Sequence, residues 1–255
     1  MAKSTPEELE LIRESIRALC KKFPEAYWRE KDKEKAYPEE FIQALTEEGW
    51  LSVLIPEEYG GAGLGMVEAG IILEEINRSG GNAAAGHAQM YTMGAILRHG
   101  SEEQKQRYLP KIASGELRLQ AFGVTEPTAG SDTTSIETTA VRKGDKYMIN
   151  GQKIWISRTE HSDLMLLLAR TTPKDQVTKK TEGLSLFLLD MQDQKDRITI
   201  RPIDTMINHA TTEVFFENVE IPVENRIGEE GKGFRYILSG MNAERILIAS
   251  ESIGD

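Results

Sequence analysis

Cysteine is nearly absent. Cys20 is the single one in 255 residues, so no internal disulfide can form and a reducing compartment is the natural setting. On its helical stretch Cys20 reads as a small apolar residue. Long apolar runs are missing as well: the longest, 164–169 and 246–249, fall far short of the roughly 20 residues a spanning helix needs. Residues 1–8 lead into no apolar stretch of the kind a secretion signal carries. The cytoplasm is the expected compartment, with the mitochondrial matrix as the alternative. No basic block offsets the acidity: 31 Lys and Arg against 41 Asp and Glu leave a net charge of −10, which speaks against nucleic acid and anionic membrane surfaces as partners.

Several motifs are lacking too. His87, His99, His161 and His209 have no i, i+4 or cysteine partner, so no metal is expected. There is no G-x-S-x-G elbow. Gly231-Lys232 is followed by Gly233 where a P-loop needs Ser or Thr. The glycines from Gly60 to Gly65 do not fit G-x-G-x-x-G and follow Pro56-Glu57-Glu58-Tyr59, not a strand. A turn between helices is the better reading.

What is present falls into three textures, which predict an α+β multidomain fold. Residues 1–118 read as an N-terminal helical bundle. Thr5-Pro6-Glu7-Glu8 is a capping box with proline in the first turn, and Leu9, Ile12, Ile16 and Leu19 follow at helical spacing. Pro38-Glu39-Glu40 opens a helix that Gly49 ends. Met66, Ala69, Ile72, Leu73 and Ile76 form a third stripe, and Ser101 to Gln104 caps a helix that Pro110 is expected to limit. Residues 119–228 change period and suggest a middle antiparallel β-barrel or sandwich. Leu164 and Leu184 open apolar runs suited to buried strands, and 198–200 and 213–221 are rich in β-branched and aromatic residues. Asn150-Gly151 predicts a tight hairpin turn, and 171–183 an exposed loop. Residues 229–255 carry one more amphipathic helix. A single helix cannot bury its own apolar face, so it packs back on the earlier segments or lacks a neighbour.

Chemistry concentrates in the middle segment. In Phe122-Gly123-Val124-Thr125-Glu126-Pro127-Thr128-Ala129-Gly130-Ser131-Asp132 a strand ends at a proline. Gly130 is free to take positive φ, which would let neighbouring N–H groups converge on an anion, and Thr125 and Ser131 add hydroxyls. Farther on, Trp155-Ile156-Ser157 sets a large aromatic beside a hydroxyl, as a flavin ring would require. On spacing alone, Trp155 as core and Ser157 as a turn residue explains the same pattern.

The order of several blocks goes further. Pro56 to Gly61, Gln104-Lys105 with Tyr108-Leu109-Pro110, Thr125-Glu126-Pro127 with Gly130-Ser131-Asp132, and Asn150 to Ile156 resemble successive blocks of the acyl-CoA dehydrogenase family. Phe215 to Pro222 and Gly231 to Phe234 continue the series, which covers nearly the whole chain. The resemblance implies a helical domain, a β-barrel domain and the start of a C-terminal four-helix bundle of which this chain holds only the first helix. It implies FAD, with Phe122, Val124, Thr125, Gly130 and Ser131 on one loop and Trp155, Ile156 and Ser157 on another. Many members have Thr-Asn where this chain has Ser157-Arg158: the hydroxyl is kept, and the role of Arg158 is open.

The implied reaction is α,β-desaturation of an acyl-CoA thioester: a carboxylate takes the α-proton while hydride leaves the β-carbon for flavin N5. Glu244, in Asn242-Ala243-Glu244-Arg245, occupies the place of the base in the isovaleryl- and long-chain-type members, whereas most members carry it farther along. Ser131, Asn242 and Arg245 would meet substrate, with Asn242 standing where some members have Asp. Electron-transfer flavoprotein is the implied acceptor, and the full-length protein would be a homodimer or homotetramer. Two other readings stay open: an acyl-CoA oxidase that passes electrons to oxygen, and a catalytically incomplete piece that only binds or assembles. If the protein ends at Asp255, poor FAD binding and an exposed apolar face on the last helix are expected.

Overall fold

The computed structural model describes residues 4–255. Helices come first: α1 (Pro6–Cys20), α2 (Glu25–Glu34), α3 (Glu39–Glu47), α4 (Met66–Arg78), α5 (Ala84–His99) and α6 (Glu102–Ser114). Thr5 caps α1 as its sequence demands, with the Glu8 N–H donating to Thr5 Oγ1 at 3.2 Å and Glu8 returning the bond. Gly49 leaves α3 with φ 78, where a side chain would be strained. Pro110 does not limit α6, which runs on through it to Ser114. The carbonyl that loses its donor belongs to Gln106, and Gln106 and Pro110 both lie on the exposed side while Tyr108, Leu109 and Ile112 face inward.

Strands β1 (Ala121–Gly123), β2 (Thr139–Lys143), β3 (Lys146–Ser157), β4 (Leu164–Arg170), β5 (Leu184–Asp190), β6 (Ile198–Pro202), β7 (Thr211–Pro222) and β8 (Arg226–Ile227) form one eight-stranded, mostly antiparallel sheet. Its path is β6-β7-β3-β2-β4-β5-β8, and β1 pairs in parallel with β4. The unbroken apolar runs of β4 and β5 have a geometric cause. Leu164, Leu166, Leu168, Leu184, Leu186 and Leu188 face the helices, while Met165, Leu167, Ala169, Phe187 and Leu189 face a second core that the sheet curls around. A strand buried on both faces has no polar side to alternate with.

Asn150-Gly151 makes no turn. Both lie inside β3, and the β2–β3 connection is the tight turn at Gly144-Asp145, where Gly144 has φ 64. Glycine is required at 151 for another reason: φ is 150, and a Cβ would sit 2.5 Å from Thr138 Oγ1. Asn150 meanwhile bonds across to Asn218 of β7, where the register shifts.

Helix α7 (Gly233–Gly254) closes the described chain. It packs on α4, α5 and β5 through Ile237, Gly240, Ala243 and Leu247. Leu238, Ile246, Ile248 and Ile253 on its other side remain exposed. Cys20 is buried at the end of α1, and burial pushes its thiol up to about 11, so it is inert.

Candidate functional site

The loop after β1 is held by an ion pair that pattern reading does not pick out. Glu126 Oε1 lies 2.8 Å from Lys153 Nζ, with both side chains in the interior. Lys153 also donates to the Val124 carbonyl at 2.9 Å, and Glu126 accepts the backbone N–H groups of Glu137 and Thr138. Burial opposes the ionisation of Glu126, yet the Lys153 charge and these donors outweigh it and hold the carboxyl below its usual range. Burial lowers the Lys153 ammonium against the pull of Glu126. With two Lys153 N–H groups and both Glu126 oxygens engaged, the pair fixes one geometry. A further bond, Ile154 N–H to the Thr125 carbonyl at 2.9 Å, ties the Thr125 segment to the end of β3. The two motif segments therefore do come together.

At that end the sheet carries a bulge. Lys153 pairs with Val214 but Ile156 with Thr212, so β3 spends one residue more than β7. Trp155 lies in this extra stretch, with φ 62, a left-handed conformation rare for a bulky aromatic. The bulge returns Ile156 to the inner core at 2 % exposure and leaves the indole 58 % exposed. Trp155 is thus not core. Ser157 Oγ accepts a bond from Asn208 Nδ2 at 2.8 Å, so its own O–H stays free to donate.

On the other loop, Phe122 is half-buried, Val124 buried, Thr125 half-buried, and Gly130 and Ser131 exposed. Gly130 does not take positive φ; the turn is made instead by Glu126 and Ala129, whose backbones exchange bonds of 3.2 and 3.1 Å. The hydroxyls of Ser131 and Thr125 donate to nothing among the described residues.

The third wall comes from α7. Glu244 is half-buried and makes no hydrogen bond among the described residues. Burial raises its pKa above 4.5, while His87 and Arg245 pull it down. Its charge acts on the buried Tyr91 phenol, whose pKa rises mainly through burial. Tyr91 in turn meets Phe122 edge-on at 5.3 Å. His87 Nδ1 and Glu251 Oε1, 2.6 Å apart, join α5 to α7 nearby. Neither Tyr91 nor His87 is distinguishable in the sequence, because α5 is apolar around most of its circumference. Asn242 and Arg245 lie on the exposed side, joined to each other at 3.0 Å.

Family models match two stretches: the N-terminal domain of acyl-CoA dehydrogenase over residues 6–116 and its middle domain over 121–219. Cyclohex-1-ene-1-carbonyl-CoA dehydrogenase of Syntrophus aciditrophicus is 34% identical over 97% of this chain, which covers 59% of that protein. Glutaryl-CoA dehydrogenase of Desulfococcus multivorans is 34% identical over 97% of this chain, against 64% of its own length. Among solved structures, a chain from work on the electron transferring flavoprotein of Acidaminococcus fermentans superposes with a TM-score of 0.88. It shares 33% identity, and the match covers 100% of this chain and 66% of that one.

Proposed function

Because this chain belongs to the acyl-CoA dehydrogenase family, we propose that the native protein desaturates an acyl-CoA thioester between its α- and β-carbons with FAD as cofactor. One observation carries the reading: the half-buried carboxyl of Glu244 has a raised pKa, makes no hydrogen bond among the described residues, and acts through its charge on the buried Tyr91.

The residues present fit the cofactor. Thr125, Ser131 and Ser157 offer unspent hydroxyl donors, and Trp155 offers an exposed aromatic face held out by the bulge. Phe122, Val124 and Gly130 complete one wall, and Ile156 anchors the other from the barrel core. FAD, when bound, supplies the acceptor for the β-hydrogen and its electron pair.

The chain's own part is to move the α-proton. Glu244 takes it, and its raised pKa makes the carboxylate a stronger base than a solvated one. Tyr91 and the surrounding α5 wall keep water away from that carboxylate. Ser131, and Asn242 and Arg245 on the open side of α7, are the residues proposed to meet the polar part of the thioester ligand. Electron-transfer flavoprotein is the proposed acceptor and a homodimer or homotetramer the proposed assembly; the flavoprotein neighbour supports the former.

The test is turnover of a short acyl-CoA by the flavin-loaded native protein with an artificial electron acceptor. Mass spectrometry should find the α,β-enoyl-CoA product. Flavin-loaded protein that forms none overturns the reading, and rapid reoxidation by air in place of the acceptor would favour an oxidase.

A further inference from the structure

Directly after Ser157 the chain buries a positive charge that nothing nearby balances. Arg158 is 7% exposed, and its side chain makes one hydrogen bond, to Asn208 Oδ1 at 3.5 Å. Arg170, buried to 6%, shows the usual solution: its guanidinium donates to the carbonyls of Ile136 and Thr134 at 3.1 and 2.8 Å. Arg158 has no such ring of carbonyls. Among the described residues no carboxylate pairs with it; Glu251 acts on it only from a distance and is committed to His87. A guanidinium does not deprotonate at ordinary pH, so the charge persists and calls for a counter-ion.

Arg158 lines a cavity of about 180 Å³ between α2, the start of α5 and the 207–210 segment. The lysines on its wall are already matched, Lys31 with Glu40 at 3.0 Å and Lys35 with Asp204 at 2.5 Å, and His209 Nε2 lies 2.9 Å from Asp32 Oδ1. His209 Nδ1, however, is buried without a partner. The Arg158 guanidinium is therefore the cation on this wall that has no carboxylate partner within salt-bridge distance among the described residues. Trp28, Tyr37, Pro38 and Ile207 make the apolar part of the wall, and Asp32, Asn82 and Asn208 add polar groups to it.

We infer that this cavity binds a small aliphatic monocarboxylate, with its carboxylate on the Arg158 guanidinium and its tail against Trp28 and Tyr37. The guanidinium fork matches a carboxylate in two parallel bonds. A single excess charge suits a monoanion better than a phosphate dianion, and the aromatic wall has use for an alkyl tail that phosphate lacks.

Calorimetric titration of the chain with butyrate and, separately, with inorganic phosphate tests this. Butyrate should saturate one site and phosphate should bind at least about tenfold more weakly. Arg158→Met should lose at least about tenfold in butyrate affinity, the scale of a charge-assisted pair. Its melting temperature without ligand should equal or exceed that of the parent, because an unpaired buried charge has gone. Arg158→Lys, which keeps the charge but not the fork, should bind several-fold more weakly than the parent, and it decides the matter if the Met variant fails to fold. Added FAD should leave butyrate binding unchanged, since the site adjoins the Ser157 cradle without sharing it. Absence of saturable binding overturns the inference, as does phosphate binding as tightly as butyrate, unchanged affinity in Arg158→Lys or Arg158→Met, or displacement of butyrate by FAD.

Discussion

Trp155 occupies a left-handed position that costs a non-glycine residue about 1–2 kcal/mol. The indole gains little in return from packing, being more than half exposed. Such strain persists where the surroundings over-determine it, here by the pairing of β3 with β7 on either side of the bulge. Trp155→Gly should therefore leave the chain as stable or up to about 1 kcal/mol more stable in urea melts, while weakening FAD binding at least about tenfold through the lost aromatic face. Lost stability with intact flavin affinity would assign Trp155 to packing. The Glu126–Lys153 pair makes the opposite demand. Lys153→Met leaves a carboxylate buried without its cation, so a loss of about 3–5 kcal/mol is expected in the same melts. A loss under about 1 kcal/mol would mean that the loop does not depend on the pair.

Among the elements, α1 is tied to α4 by Arg13 and Arg17, which converge on the buried Glu75 at 2.5 and 2.8 Å. Burial works against the Glu75 charge, but the two arginines overcome it and its pKa lies below 4.5. The stability it contributes is thus fully present above 4.5 and is lost as pH falls through the depressed value. Glu75→Gln should cost about 2–3 kcal/mol at neutral pH, less than a wholly buried pair because Arg17 is partly in solvent. The difference should shrink on acidification; a gap that stays constant down to the acid transition would contradict the assignment.

Most of these elements were legible beforehand. Thr5 and Ser101 announce their helices, and the paired apolar runs announce β4 and β5, because caps and burial patterns are local properties. Asn150-Gly151 and Pro110 misled for a shared reason: each carries a strong local preference that tertiary surroundings override. Thr138 crowds Gly151 within the sheet, and Gln106 and Pro110 lie on the exposed side of α6. The site was legible as two segments but not as one place. The ion pair, the bulge and the Tyr91 contact each depend on register between distant strands and helices, which no short window contains.

As a whole the chain spans 59% and 64% of the two relatives compared, and it presents Leu238, Ile246, Ile248 and Ile253 of α7 outward. At one corner of the sheet it brings together the Thr125 and Trp155 segments, the proposed flavin cradle, and α7 carries the half-buried carboxyl of Glu244, the proposed base. That carboxylate gives the assembly a pH signature. Because the Glu244 pKa is raised, the base is protonated and idle below it, so the rate of flavin reduction should climb with pH through a midpoint above 4.5. The most direct test mixes the flavin-loaded native protein anaerobically with a short acyl-CoA and follows flavin bleaching for the parent and for Glu244→Gln. The account predicts a variant that binds FAD normally but reduces it at least about a hundredfold more slowly, with the acid limb gone. Bleaching at the parent rate in Glu244→Gln would contradict it.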